Sequence, residues 1–167
     1  MTPTDLVHDK LLPLAELSRR RCGWRCYSHK TVFTNGVFDL IHPGHLTYLQ
    51  EAAGLGTRLI VGVNSDESVR RLKGDGRPVM PLAARMQLLA GLFYVDGVIA
   101  FDEDTPLDLI NALRPDVLVK GGDYTEATIV GAPEVRSWGG DVRVLSFVDG
   151  FSSTGIIEKI AQPNVMV

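Results

Sequence analysis

Thr31-Val32-Phe33-Thr34-Asn35-Gly36-Val37-Phe38-Asp39-Leu40-Ile41-His42-Pro43-Gly44-His45 is the stretch whose reading decides the fold. Its first four residues are β-branched or aromatic, as a short buried strand requires. Beyond it, Leu46, Leu49, Ala52 and Ala53 recur at helical spacing, so an amphipathic helix begins near Gly44. Strand, glycine turn and helix start, in that order, bring a phosphate-sized anion against open backbone N–H groups. With His42 as N-cap, Pro43 takes the first helical position, where its missing N–H costs nothing. His45 then falls in the first turn, and both imidazoles face one anion. Gly44 has no side chain to block the approach, and Gly36 lets the preceding turn come close. Either imidazole donates hydrogen bonds and titrates near neutral pH. A lone histidine would read as a surface or capping residue; a pair flanking Pro-Gly between strand and helix does not.

Outward from that stretch the pattern keeps alternating. Arg58–Asn64 reads as a second buried strand, with Ser65 or Asp66 capping the helix that follows. The loop Lys73-Gly74-Asp75-Gly76-Arg77-Pro78 precedes a helical run over Leu82–Phe93. Gly97–Phe101 is a third strand, Thr105-Pro106 opens a helix that Pro115 closes, and Asp116–Lys120 is a fourth strand. Val142–Leu145 makes a fifth, and a last helix starts near Ser152. Five strands alternating with helices predict an α/β fold: a single-domain, Rossmann-like, doubly wound parallel sheet. Residues 1–29 stand apart as an N-terminal helical extension interrupted by Pro13, with 30–162 as the domain and 163–167 as a tail. The extension, with its Arg19-Arg20-Arg21 run, reads as a solvated helix that packs on the domain or a partner subunit.

Ligands in such sheets bind beyond the carboxyl ends of the strands, where the strand order reverses. That rule gathers Thr34 to His45, Asn64 to Asp66, Lys120 to Asp123 and Phe147 to Thr154 on one crevice. The whole chain narrows the chemistry. At 167 residues and a formal charge of −3 it makes no electrostatic case for nucleic acid or a membrane surface. No apolar run approaches the roughly 20 residues of a membrane span, and no signal peptide is evident. Cys22 and Cys26 have no second Cys/His pair at zinc spacing, so no metal site is expected, and a reduced, cytoplasmic setting follows. There is no G-x-x-x-x-G-K-[ST], no completed G-x-G-x-x-G and no G-x-S-x-G.

Asn35-Gly-Val-Phe-Asp-Leu-Ile-His-Pro-Gly-His45 resembles the HxGH signature of the nucleotidyltransferase superfamily that includes the cytidylyltransferases. Lys120-Gly121-Gly122-Asp123-Tyr124 and Asp149-Gly150-Phe151-Ser152-Ser153-Thr154 narrow the resemblance to the heptose-1-phosphate adenylyltransferases (ADP-heptose synthases) of lipopolysaccharide assembly, over about Lys30 to Ile160. The arginine usual in cytidylyltransferases just before the serine run is absent, and Ser153 replaces a threonine, keeping the hydroxyl. In some relatives this enzyme is fused behind a sugar kinase. Thirty residues cannot encode one, so the stand-alone form is expected.

The resemblance implies adenylyl transfer from ATP, with Mg2+, to D-glycero-β-D-manno-heptose 1-phosphate, giving ADP-heptose and pyrophosphate, and suggests a homodimer. It assigns His42, His45 and Lys73 to the triphosphate. The nucleotide is expected along Thr34, Asn35, Gly36, Phe38, Asp39, Gly44, Lys120, Gly121, Gly122, Asp123, Ser152, Ser153 and Thr154. Asp39 is expected to orient its loop rather than act as a base, since a phosphate nucleophile is already ionised. Asn64, Asp66, Arg77 and Arg85 are candidates for phosphate or sugar phosphate. Read without the resemblance, the Lys73 loop is a solvated basic loop, Arg85 a salt-bridged surface arginine, Gly121-Gly122-Asp123 a turn, and Ser152 an N-cap. A cytidylyltransferase acting on glycerol 3-phosphate, and a nucleotide-binding module without turnover, stay open.

Overall fold

The computed structural model describes residues 2–122, 125, 128–146 and 150–161. Five strands form one parallel sheet: β1 (Thr31–Gly36), β2 (Arg58–Asn64), β3 (Gly97–Phe101), β4 (Val117–Gly121) and β5 (Asp141–Leu145), in the order β3-β2-β1-β4-β5. Eight helices accompany them among the described residues: α1 (Pro3–His8), α2 (Leu14–Cys26), α3 (Pro43–Ala53), α4 (Asp66–Lys73), α5 (Leu82–Ala90), α6 (Leu107–Leu113), α7 (Ala132–Ser137) and α8 (Ser153–Ala161).

Alternation along the strands divides the core between the two faces of the sheet, because successive side chains point to opposite sides. Phe33, Ile60 and Leu118 pack with Leu17, Leu109, Ile110, Leu113 and Val135, under α2, α6 and α7. Val32, Val61, Val63, Val117 and Val119 pack with Tyr48, Leu49, Ala52 and Leu89, under α3 and α5. The parallel, doubly covered sheet anticipated from the alternation is therefore the one observed.

Two details depart from the sequence reading. The helical run after Pro81 stops at Ala90, where Gly91 caps it, instead of reaching Phe93. The short α7 was not anticipated: its six residues include Pro133 at the start and only Ala132 and Val135 buried, too few to show a period. The N-terminal extension packs against the domain. Leu12 N–H donates to Val98 O and Val98 N–H to Lys10 O, covering the edge of β3, while Leu17 is fully buried in the core. An edge strand closed in this way is no longer free to pair with another chain. Burying one leucine is worth about 1.5–3 kcal/mol. Arg20 pairs with Asp9 and Glu16 across α1 and α2.

The order reverses between β1 and β4, the expected binding position in such sheets. β1 pairs with β2 at six register positions but with β4 only at Val32↔Val117 and Phe33↔Leu118. Beyond Phe33 the two central strands part, and a crevice opens at their carboxyl ends.

Candidate active site

A cleft of about 590 Å³ occupies this opening. Its lining includes Asn35, Gly36 and Phe38 from the end of β1, and His42, Gly44, His45 and Tyr48 from the start of α3. Lys73 ends α4, Lys120 and Gly121 end β4, and Gly150 to Thr154 lead into α8. A second cavity of about 520 Å³ lies among Leu11–Leu14, Met86 and the end of β3. It is mainly apolar and carries Asp102, Glu103 and Asp108, carboxylates that repel an anion. Of the two, the first cleft has the lining that suits phosphate.

The two histidines share one environment. His42 is the N-cap of α3, with Pro43 at the first helical position. The imidazoles stack with centroids 3.8 Å apart and planes 21° apart, and the Phe151 ring lies 6.2 Å from His42 on a nearly parallel plane. His45 N–H points at His42 Nδ1, a long contact of 3.4 Å. An accepting Nδ1 leaves the His42 proton on Nε2. A Cβ at position 44 would stand 3.1 Å from the His42 ring and 3.3 Å from Phe151 Cβ, so glycine is what lets these groups close up. Phe38 sits at φ 49°, in the left-handed region, with its ring 5.4 Å from His45 and against Gly36.

Burial holds both imidazoles neutral. It lowers the His42 pKa, and it takes His45 to about 4, helped by the neighbouring His42 and by Lys73 and opposed by the Leu40 carbonyl. His45 Nδ1 is buried without a hydrogen bond of good geometry. A consequence for stability follows. The unfolded chain protonates His45 near pH 6.5, before the folded one, so this contribution is complete above that pH and is lost as pH falls towards 4. Urea unfolding of the wild type and of His45→Gln is expected to show the wild type losing more stability over pH 6.5 to 4; parallel curves would contradict it.

Cations flank the rings on two sides. Lys73 ends α4 beside Gly74, which takes φ 90°, and burial followed by the nearby Arg77 lowers its pKa while Asp39 raises it. Lys120 donates to Asn35 Oδ1 at 3.2 Å across the parted strands, and burial lowers its pKa. The three hydroxyls before and in α8 already have partners. Ser152 Oγ caps Gly155 N–H at 2.9 Å, Ser153 Oγ donates to Leu40 O at 3.1 Å, and Thr154 Oγ1 accepts from Arg77 at 3.5 Å. With its open N–H groups, the start of α8 completes a positive rim suited to phosphates.

Several sequence candidates lie elsewhere. Thr34 is buried, bonded to the Tyr48 hydroxyl at 2.5 Å. Asp39 is buried too, accepting from Val79 and Met80 N–H and from Arg77 Nε at 2.7 Å, so it ties its own loop to the one after α4. Those bonds, chiefly to Met80 and Val79, outweigh burial and keep its pKa low. Arg77 reaches between Asp39 and Thr154 rather than into the cleft. Gly122 turns with φ 112° to bond Leu145 O, outside the lining. Asp123, Tyr124 and Phe147-Val148-Asp149 lie outside the described residues, as does the whole tail, 163–167.

Arg85, Asn64 and Asp66 need the clearest correction: none lines the cleft. Arg85 is fully buried and donates to Met80 O, Val37 O, Asn64 O and Asp66 Oδ1 at 2.6–3.0 Å. Asn64 holds Ser68 Oγ, and Asp66 accepts from Leu82 N–H as well. The trio clamps α4, α5 and the histidine loop together. The sequence reading also passed over Tyr48, which lines the cleft; its spacing of one helical turn from His45 was the available signal. No cluster of three His, Cys, Asp or Glu able to hold a metal occurs among the described residues, and no described helix is long and apolar enough to cross a membrane.

The family model described as "Cytidylyltransferase-like" matches residues 33–159. The chain is 53% identical to the "Bifunctional protein HldE" of Methylobacillus flagellatus over 92% of its own length and 31% of the relative's. It is 60% identical to the protein of the same name from Haemophilus ducreyi, over 78% of its length and 28% of the relative's. It thus spans about a third of the curated relatives it matches. A crystal structure titled "lipopolysaccharide core biosynthesis protein", from Thermoplasma volcanium GSS1, superposes with a TM-score of 0.59 at 28% identity, covering 72% of this chain and 97% of the other.

Proposed function

This chain belongs to the cytidylyltransferase-like nucleotidyltransferases, and from that premise we propose that it transfers AMP from ATP to D-glycero-β-D-manno-heptose 1-phosphate, giving ADP-heptose and pyrophosphate. The observation that carries the chemistry is the pair of stacked imidazoles at the start of α3, set between Lys73, Lys120 and the start of α8. The heptose acceptor rests on the likeness to the HldE proteins and to the lipopolysaccharide core protein.

In the transfer, an oxygen of the sugar phosphate attacks the α-phosphorus of ATP in line. The bond from that phosphorus to the bridging oxygen breaks, and pyrophosphate leaves with the electron pair. No enzyme nucleophile is needed, so the protein's work is positioning and stabilising developing negative charge. His42 Nε2–H and His45 are placed to donate to the α-phosphate and the leaving group. An approaching triphosphate raises the pKa of both rings, as an opposite charge within about 4–6 Å does, and a ring that stays neutral still donates through its N–H. Lys73 and the α8 N–H groups receive the departing pyrophosphate.

The described lining has no carboxylate, so among these residues Mg2+ has no anionic ligand and fits as the counter-ion that ATP brings. A homodimer in the cytoplasm completes the reading. Pyrophosphate release measured with ATP or CTP against heptose 1-phosphate or glycerol 3-phosphate tests it. Turnover is expected for ATP with the heptose phosphate; turnover only for CTP with glycerol 3-phosphate would replace our reading with the cytidylyltransferase one. ATP binding with no release under any acceptor would leave a binding module.

Lys73→Ala checks the phosphate assignment. Losing one charge-assisted contact of about 1.5–3 kcal/mol should raise the apparent KM for ATP roughly 10- to 100-fold. An unchanged KM for both substrates would remove Lys73 from the site.

A further inference from the structure

We propose that Tyr48 is a positioning residue for the transfer: its hydroxyl spans the parted ends of β1 and β4 and seats the turn of α3 that carries His45. The proposal rests on the nucleotidyl-transfer reading and adds a residue that neither the motifs nor the family resemblance assigned.

The geometry starts where the central strands separate. Their last shared register pair is Phe33↔Leu118. The next residues, Thr34 and Val119, are the two that the Tyr48 hydroxyl joins. It lies 2.5 Å from Thr34 Oγ1 and donates to Val119 O at 3.4 Å, which leaves it to accept from the threonine. One hydroxyl thus replaces the strand pairing that the sheet gives up to make room for the cleft. The ring below is 7% exposed and packed in the apolar layer with Val32 and Val119, so it has little freedom to move. Burial pushes the Tyr48 pKa up to about 12, so the hydroxyl keeps the proton it donates.

Three cleft groups sit one step from these anchors. Asn35 follows Thr34, Lys120 follows Val119, and the two side chains meet at 3.2 Å. His45 precedes Tyr48 by three residues, about one turn, on the same side of α3. The depth of the hydroxyl therefore fixes how far the imidazole pair stands from the lysine and asparagine. In-line transfer is sensitive to such spacing.

The test uses Tyr48→Phe, which keeps the ring and removes the hydroxyl. kcat is expected to fall about tenfold, a fraction of the roughly 10²-fold cost of a 1 Å misplacement, with KM for ATP changed by less than about threefold. The imidazole signals of His45 in the ligand-free protein should shift in histidine NMR spectra. Thr34→Val should reproduce both effects, Thr34→Ser should recover most of what Thr34→Val loses, and the double variant should be no worse than either single one, as for two ends of one bond.

A structural role alone would lower the unfolding temperature while leaving kcat and the imidazole signals at wild-type values, and that result overturns the proposal. So do losses that multiply in the double variant. If the wild type releases no pyrophosphate with any acceptor, the adenylyl-transfer reading fails, and the imidazole signals alone then decide whether Tyr48 seats His45.

Discussion

His45→Ala is expected to lower the rate of pyrophosphate release by about 10²-fold or more, the scale of losing one oriented donor to a transition-state oxyanion. His45 is the better histidine to remove. His42 is also the N-cap of α3, so its loss would mix chemistry with helix stability worth about 0.5–2 kcal/mol. His45 sits inside the helix, stacked on His42, with its backbone bonds independent of its ring. The loss should fall on kcat, because the charge that the ring meets develops as pyrophosphate departs. ATP affinity should change less. Far-UV circular dichroism should remain that of the wild type. A kcat near the wild-type value in a folded His45→Ala protein would remove the imidazole pair from the chemistry, and the proposed function with it.

Arg85→Ala is expected to cost about 3–5 kcal/mol of stability, the range for breaking a buried ion pair from one side. The guanidinium satisfies four acceptors at once, three of them main-chain carbonyls, and no other donor replaces it at Val37 O or Met80 O among the hydrogen bonds described. Removing it also leaves Asp66 without its cation. Total stabilities of about 5–15 kcal/mol make this a large fraction of the fold. Arg85→Lys should be nearly as damaging, since an ammonium cannot reach acceptors spread around a planar fork. Urea unfolding measures the loss directly. A change below about 1 kcal/mol, with KM for ATP or the sugar phosphate raised tenfold in the same variant, would return Arg85 to the phosphate candidates.

Arg85 shows where sequence reading stops. Its position after the lysine loop suits a phosphate-binding arginine, and one dimension offers nothing to separate a phosphate ligand from a clamp. The answer depends on Val37, Asn64 and Met80, whose carbonyls converge on it only after β1, β2 and the loop before α5 have packed. Asp39 shows the opposite. Its expected part in orienting the loop follows from an argument about the nucleophile's charge, and the buried carboxylate does bind the loop after α4.

The alternation of strands and helices and the cap at His42 were settled by local rules: β-branched runs, proline at a helix start, apolar residues at helical spacing. These depend on residues near one another in the chain, so the sequence by itself determined them. Tertiary structure alone decided the distances across the cleft. The stacking of two rings, the fall of the His45 pKa to about 4 and the span from Thr34 through Tyr48 to Val119 all need packed elements that exclude water. Burial and long-range contact are properties of the assembled sheet, and no stretch of the chain carries them before the strands come together.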